Sequence, residues 1–339
     1  MKLDFDPKSN ITAFDNVAMQ FKIPLEKKCL QINNLLAVRS IVRNWQDVFL
    51  FRIGIKKARF VMQLRNGKSV QINKPEDYFS FWKTEKAQVE LLKQNDLYKT
   101  IKVAENEKIL KFKFRDKIVK LVYDSQKQMN NTLYMIKEQF IEEQYKWLNV
   151  EGKEVIDIGA NIGDSAIYFA LKGAKHVYAF EPYPYSYNIA NKNIRLNGLQ
   201  DKITLVNQGC AGKETTIKID NSYENFGSTD LKAFKSGKEM KITTLNKIIK
   251  KFNIKHPAVL KVDCEGCEYS VLLKANDSDL RKFDQIQIEY HYGYLNLKKK
   301  IEHVGFMVTD TLPMYGYNLE AENREMFVGL IYAVRSSFK

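Results

Sequence analysis

The chain lacks a long apolar run, an apolar leader and a cysteine-rich framework. No window approaches about 18 consecutive apolar residues, so the sequence predicts no membrane-spanning helix. The opening residues, MKLDFDPKSNITAF, do not follow the basic-then-apolar pattern of a signal peptide, which favours a cytoplasmic protein. Only four cysteines occur among 339 residues, and this number does not indicate a set of structural disulfides.

The charge is strongly positive. The chain has 54 lysines and arginines against 40 aspartates and glutamates, a formal net charge of +14. Such a balance favours nucleic acid or another polyanion as a partner. The lysines are scattered along the chain and are not grouped with aromatic residues, which is equally typical of a solubilising surface. The charge therefore leaves a polyanionic acceptor open without requiring one.

The N-terminal part, residues 1–125, is predicted to be a small α+β region of unknown role. Two strand-like runs, ARFVMQL and SVQI, flank Asn66 and Gly67, which is a strong hairpin signal. Alternating apolar residues at 108–124 predict two further strands or one bent strand. Helices are predicted near 30–43 and 77–97. No linker rich in Pro, Gly or Ser marks where this region ends.

Residues 126–339 are predicted to form an α/β domain with a Rossmann-like, doubly wound sheet. An amphipathic helix is expected at 132–147, and strand and helix patterns then alternate, which is typical of parallel sheets covered by helices on both faces. The last two strand-like runs, at 303–310 and 326–334, predict an antiparallel pair at the end of the sheet. That ending is the methyltransferase variant of the fold.

The most informative segment is a strand–loop–helix–strand unit at residues 154–182. Its first strand leads into Asp157-x-Gly159-x-Asn161-x-Gly163, its helix begins at Asp164, and its second strand ends in Glu181-Pro182. In this arrangement a nucleoside lies over the carboxyl ends of the parallel strands, and an acid at the end of the second strand binds the ribose hydroxyls. The segment therefore predicts a nucleoside cofactor.

The loop residues discriminate between cofactors. A dinucleotide loop needs a glycine where this chain has Asn161, because the backbone must approach a pyrophosphate there. The carboxylate of Asp157 would repel phosphate but would attract a cationic amino group. S-adenosylmethionine carries an ammonium and a sulfonium and no phosphate, so it fits this loop better than NAD.

The segments VIDIGANIGDSAIYFA, YAFEPYPYSYNIANKNIRLNG, LKVDCEGCEYSVL, IQIEYH and VGFMV occur in an order and spacing that resemble the FkbM-type family of S-adenosylmethionine-dependent methyltransferases. The resemblance covers roughly residues 135–335. It implies O-methylation of a hydroxyl on a glycan or small molecule. Related enzymes often contact adenine through an acid after the third strand. Here Asn207 and Gln208 occupy that stretch, so an amide is expected to bind the adenine edge instead.

Four side chains at the predicted ends of two neighbouring strands are the catalytic candidates. A hydroxyl acceptor benefits from a base or from a metal that acidifies it. His291 is the favoured base, and Asp263, Glu265 and Glu289 are the other candidates. These four could together hold a hard cation, although their spacing does not require a divalent metal. Nearby, Cys264 and Cys267 are expected to pack as thiols at a strand-to-helix junction.

Two other functions remain open on the sequence alone. An RNA methyltransferase acting on tRNA is compatible with the charge and the extra N-terminal region, but an acidic loop at Asp263-Cys264-Glu265 would repel phosphates. A non-catalytic binding module that retains the fold would not need the loop around Asn161. The favoured partner is a small-molecule or glycan acceptor.

Overall fold

The computed structural model describes residues 5–13, 15, 42–52, 55–57, 59–64, 67, 69–74, 77, 101–219, 237–318 and 324–335. The helices predicted near 30–43 and 77–97 lie almost entirely outside these residues. The chain divides into two compact units, one made of Met1–Met19 with Met135–Lys339 and the other of Gln20–Tyr134. The predicted domain boundary at residue 125 stays a prediction.

The smaller unit contains two short antiparallel sheets. Its described elements are α1 (Trp45–Arg52), β1 (Phe60–Gln63), β2 (Ser69–Ile72), β3 (Lys102–Ala104), β4 (Ile109–Phe114) and β5 (Lys117–Val122), and the chain continues into α2 (Gln126–Ile136). β1 pairs with β2 across Gly67, which confirms the predicted hairpin. β3, β4 and β5 form the second sheet, and β4 and β5 show that residues 108–124 form two strands and not one bent strand. Val42, Val48, Met62 and Ile72 form the core beside the hairpin.

The larger unit contains a central sheet with helices along the connections. Its helices are α3 (Asp164–Leu171), α4 (Pro184–Leu196), α5 (Leu245–Lys251), α6 (Glu268–Lys274), α7 (Asp277–Leu280) and α8 (Leu295–His303). Its strands are β6 (Glu154–Ile158), β7 (His176–Phe180), β8 (Ile203–Val206), β9 (Gly209–Cys210), β10 (Thr215–Ile219), β11 (Lys238–Thr243), β12 (Ala258–Val262), β13 (Phe283–Tyr290), β14 (Phe306–Asp310), β15 (Met314–Asn318) and β16 (Arg324–Arg335). Among the described residues, no helix combines the length and apolarity needed to cross a membrane.

The strand order of the central sheet is β14-β16-β13-β12-β6-β7-β8, and β15 pairs with β16. The five strands from β13 to β8 run parallel, and β16 is antiparallel to both β13 and β14. β12 is buried along its whole length, as expected of a parallel strand covered on both faces. The order and directions confirm the predicted doubly wound sheet with an antiparallel end.

The segment before β6 departs from the predicted helix at 132–147. α2 ends at Ile136, a π-helical turn covers Lys137–Ile141, and the helical path stops at Glu143, which has a φ of +48°. The side chain of Glu143 accepts a hydrogen bond from the Tyr168 hydroxyl at 2.8 Å and lies 3.2 Å from the Lys172 ammonium. These contacts with α3 and the residue after it offset the cost of a left-handed backbone in a residue with a side chain.

The carboxyl ends of β6, β7, β12 and β13 meet at one edge of the sheet. The loop after β6 is tied to both neighbours, since the Gly159 amide donates to the Phe180 carbonyl at 3.0 Å and the Asp263 amide donates to the Ile158 carbonyl at 3.0 Å. Open α/β sheets bind their ligands at this edge. The predicted site residues therefore converge on one place.

Candidate functional site

The loop after β6 is shaped by three left-handed backbone positions. Gly159, Asn161 and Gly163 have φ values of +83°, +45° and +82°. A Cβ added to Gly159 would lie 1.7 Å from the carbonyl oxygen of Asp263, so no side chain fits there. A Cβ on Gly163 would lie 3.2 Å from the Ala190 Cβ, which explains the close approach of α3 to α4. The glycines therefore bring the loop against the end of β12.

Glu181 holds this loop from the end of β7. Its carboxylate accepts the Asn161 amide at 2.9 Å and the Tyr183 amide at 2.8 Å, and only 5% of the residue is exposed. Burial raises the pKa of Glu181 to about 8, although the two backbone N–H groups oppose that rise. The acid lies where the sequence predicts a ribose ligand, beside the glycine-rich loop.

Both carboxylate oxygens of Asp157 contact other side chains of the protein. It is completely buried, it accepts a hydrogen bond from the Ser165 hydroxyl at 2.7 Å, and its other oxygen lies 3.0 Å from the Lys261 ammonium. Lys261 is its register partner on β12 and also donates to the Gly159 carbonyl at 2.6 Å. Burial lowers the pKa of this lysine, but Asp157 and Asp263 outweigh that effect and keep it charged.

Lys261 is a site residue that no sequence motif singles out. The signal was present, because a lysine in the middle of the apolar strand AVLKVD must find an anionic partner when both faces of the strand are buried. Such a lysine indicates a buried ion pair, but the sequence alone does not identify its acidic partner.

The other predicted cofactor residues surround the same edge. Asp164 begins α3 and is 3% exposed, and burial raises the pKa of its carboxyl to about 7. The Asn207 amide donates to the carbonyls of Glu181 and Pro182, both at 2.9 Å. Gln208 follows it, half-buried, before β9. Asn207 thus joins the ends of β7 and β8, and its side-chain nitrogen donates both hydrogen bonds to backbone carbonyls.

The catalytic candidates form a charged cluster at the ends of β12 and β13. His291 is 3% exposed; its Nδ1 lies 2.9 Å from Glu268 Oε1 and its Nε2 lies 3.0 Å from Glu265 Oε2. Burial alone would lower the pKa of His291, but the two carboxylates outweigh it and raise that pKa well above its usual value. Glu268, which is completely buried, also accepts the Cys264 amide at 3.1 Å.

Asp263 and Glu289 complete this cluster. Asp263 Oδ2 accepts a hydrogen bond from the buried Tyr145 hydroxyl at 3.2 Å, and Glu289 accepts one from the Gln144 amide at 2.7 Å. Burial, reinforced by Asp263, raises the pKa of Glu289 to about 8. Asp263, Glu265 and His291 each place one candidate ligand atom within 4.8 Å of the others. Tyr145 and Gln144 precede β6 by several residues and belong to no motif, so the sequence does not identify them as site residues.

One expectation about this loop is wrong. Cys264 and Cys267 were expected to be packed thiols, but they form a disulfide with Cα atoms 5.5 Å apart. Their position at the junction of β12 and α6 is as predicted. The spacing of three residues alone could not show the bond, because it depends on the turn through Glu265 and Gly266, which have φ values of +57° and +116°.

Comparison with known proteins gives a family match. Residues 157–318 match the family described as the methyltransferase FkbM domain. A curated relative, the ribosomal protein L11 methyltransferase of Carboxydothermus hydrogenoformans, is 44% identical over 55 residues. That match covers 16% of this chain and 18% of the relative, so the chain matches less than a fifth of the relative's length.

Two solved structures are similar at low identity. The methyltransferase FkbM from Methylobacillus flagellatus is 15% identical, with 62% of this chain and 56% of that chain covered and a TM-score of 0.38. TYW2 from M. jannaschii, solved in complex with AdoMet, is 18% identical, with 68% and 88% covered and a TM-score of 0.34. No inference about the activity of this chain rests on either likeness.

The family match spans the glycine-rich loop, Glu181 and the cluster around His291, which lie at one edge of a methyltransferase sheet. It confirms the family that the sequence motifs resemble. Residues 157–318, which are just under half of the chain, therefore form a methyltransferase domain of the FkbM type.

Proposed function

We propose that this methyltransferase transfers its methyl group to a hydroxyl of a glycan or small molecule. The observation that carries the proposal is the position of Asp263, Glu265, Glu289 and His291 directly beside the cofactor loop. The carbonyl of Asp263 contacts Gly159 so closely that no side chain could intervene. An acceptor lying over this edge would therefore meet the loop on one side and proton-accepting groups on the other.

The residues around the loop fit the proposed cofactor. Gly159 and Gly163 give the loop its left-handed turns, and the carboxylate of Glu181 keeps lone pairs for ribose hydroxyls beyond its two backbone donors. Asn207 Oδ1 and Gln208 are the amide groups proposed to contact the adenine edge.

The chemistry follows from these positions. S-adenosylmethionine, when bound, supplies a methyl group that is already activated on a sulfonium. The acceptor oxygen forms a bond to the methyl carbon, the electron pair of the broken carbon–sulfur bond stays on sulfur, and the hydroxyl proton must leave. Asp263, Glu265 and Glu289 are the groups proposed to receive it. Both nitrogens of His291 face carboxylates, so the imidazole would first have to release Glu265.

The acidity of this cluster also bears on the alternative acceptor. An RNA phosphate approaching the end of β12 would meet Asp263 and Glu265, and like charges at short range in a partly desolvated cleft are costly. A neutral hydroxyl has no such penalty. The geometry therefore favours a hydroxyl acceptor over RNA.

The experiment uses S-adenosylmethionine labelled with ¹³C in its methyl group. The purified chain is incubated with an extract of cells that lack it, and the extract is divided into RNA, glycan and small-molecule fractions. We expect the label in a methoxy group of the glycan or small-molecule fraction, and loss of about 100-fold in rate for Asp263→Asn at unchanged cofactor affinity. Label confined to RNA, or no transfer with retained cofactor binding, would contradict the proposal.

A further inference from the structure

The environment of His291 is unusual in having an acceptor at both ring nitrogens. Nδ1 lies 2.9 Å from Glu268 Oε1, which is completely buried, and Nε2 lies 3.0 Å from Glu265 Oε2. A neutral imidazole has one donor and one acceptor nitrogen. When Nδ1 donates to Glu268, the lone pair of Nε2 points at a carboxylate oxygen. A cation must lie between these two atoms, either a proton or a metal ion.

The distances match the spacing of metal ligands. Two neighbouring ligands on an octahedral ion with bonds of about 2.1 Å are about 3.0 Å apart. The Nε2 of His291 and Oε2 of Glu265 have this separation, and a carboxylate oxygen of Asp263 lies within 4.8 Å of both. The buried Glu268 orients the ring through Nδ1, as a carboxylate does behind a metal-binding histidine. Asp263 and Glu265 keep 24% and 28% of their side chains exposed, which leaves room for an entering ligand.

We propose that Asp263, Glu265 and His291 bind one divalent cation of the Mn²⁺ type, with the acceptor hydroxyl completing its coordination. One nitrogen and two carboxylate ligands suit Mn²⁺ better than Mg²⁺, which prefers oxygen ligands and water. The ion would lower the pKa of the bound hydroxyl and hold its oxygen beside the cofactor loop. The role in methyl transfer rests on the proposed function; the binding of the ion does not.

The loop between β12 and α6 supports such a site by its construction. The disulfide between Cys264 and Cys267 closes the turn that carries Glu265, so this carboxylate is held opposite His291. The Tyr145 hydroxyl and the Lys261 ammonium lie 3.2 and 3.8 Å from Asp263 Oδ2 and limit its movement. Ligands fixed in this way lose little freedom when an ion binds.

The test measures binding of Mn²⁺ alone to the tag-free full chain after removal of metals with a chelator. Free Mn²⁺ is followed by its paramagnetic resonance signal during titration. We expect one site per chain that is stronger than the general background of surface carboxylates. Absence of such a site in the folded wild-type chain would overturn the proposal, whatever the variants do.

Two matched variants separate coordination from the general effect of losing a carboxyl group. Glu265→Gln and Glu289→Gln each replace one carboxyl of the same cluster by an amide, but only Glu265 is a proposed ligand. We expect Glu265→Gln to weaken Mn²⁺ binding by at least about 10-fold and Glu289→Gln by less than about 3-fold. Equal losses would overturn the proposed ligand set. Asp263→Asn gives a second ligand variant if Glu265→Gln does not fold, as judged by circular dichroism.

The outcomes distinguish this inference from the proposed function. If the metal-free chain binds no Mn²⁺ but still transfers methyl groups to a hydroxyl, the metal site is overturned and the proposed function stays intact. Tight Mn²⁺ binding together with methyl transfer to RNA alone would support the metal site and contradict the proposed glycan or small-molecule acceptor.

Discussion

Lys261 lies at the centre of the buried sheet and connects the proposed cofactor side of the site with the proposed acceptor side. Its ammonium lies 3.0 Å from Asp157 and 3.8 Å from Asp263, and it donates to the carbonyl of Gly159. The residue thus bridges the end of β6 and the end of β12. Its removal would leave Asp157, which is completely buried, without its cation.

We therefore expect Lys261→Met to lower the free energy of unfolding by about 3–5 kcal/mol, because an unpaired buried charge remains. The double variant Lys261→Met with Asp157→Asn should recover part of that loss, since the orphaned charge is removed as well. Urea unfolding of the two variants and the wild type measures both effects. A loss below about 1 kcal/mol for the single variant would show that the pair is not a structural bridge.

Asp164 gives a prediction about pH. Its burial raises the pKa to about 7 in the folded chain, against an ordinary value of 3.8. A carboxyl with a raised pKa contributes stability below its unfolded pKa, and that contribution is lost as the pH rises through the folded pKa. The wild type should therefore lose stability relative to Asp164→Asn between about pH 4 and 7. Thermal unfolding across this range measures the difference, and a difference independent of pH would contradict it.

The loop after β6 is the element on which the proposed cofactor site depends. Gly159 and Gly152 both have a positive φ, but only Gly159 has a neighbour, the Asp263 carbonyl, where a Cβ would be. Gly152 thus provides a control with the same backbone cost and no contact. The comparison isolates the packing of the loop against β12.

We expect Gly152→Ala to destabilise the chain by about 1–2 kcal/mol, the cost of a side chain in a left-handed conformation. Gly159→Ala should cost clearly more and should also weaken cofactor binding, because the loop must move away from Asp263. Urea unfolding gives the first quantity and calorimetric titration of S-adenosylmethionine the second. Equal effects of the two substitutions on both measurements would show that the close approach has no role.

The elements differ in how far the sequence predicts them. The hairpin at Gly67 and the glycine-rich loop follow from local residue types that specify turns, so their positions could be predicted. The end of the helical path at Glu143 could not, because a non-glycine residue adopts a positive φ there only through contacts with Tyr168 and Lys172. Such contacts join residues that are distant in the chain.

The same reasoning applies to the site. The acid at the end of β7 and the acids after β12 were predictable from their place after apolar strands. The pairing of Lys261 with Asp157, the hydrogen bond from Tyr145 to Asp263 and the placement of His291 between two glutamates depend on which strands become neighbours. Strand order and register fix these contacts, and a single sequence does not display either.

At the scale of the whole molecule, the charge of the site is opposite to that of the chain. The net charge is +14, yet carboxylates outnumber cationic groups where β6, β7, β12 and β13 end. Long-range attraction of an anionic acceptor and its short-range repulsion at the cluster would then oppose each other. An acceptor whose negative groups lie away from the reacting hydroxyl would be attracted by the positive chain and would avoid repulsion at the carboxylate cluster.

The central claim is that the loop at 157–182 binds S-adenosylmethionine and that Glu181 is its main polar anchor. Calorimetric titration of the purified, folded chain tests this most directly, with Glu181→Gln as the variant and the exposed Glu239→Gln as the matched control. We expect one site per chain, a loss of about 10-fold or more in affinity for Glu181→Gln, and wild-type affinity for Glu239→Gln. No binding by the wild type, or equal affinities for all three proteins, would contradict the claim.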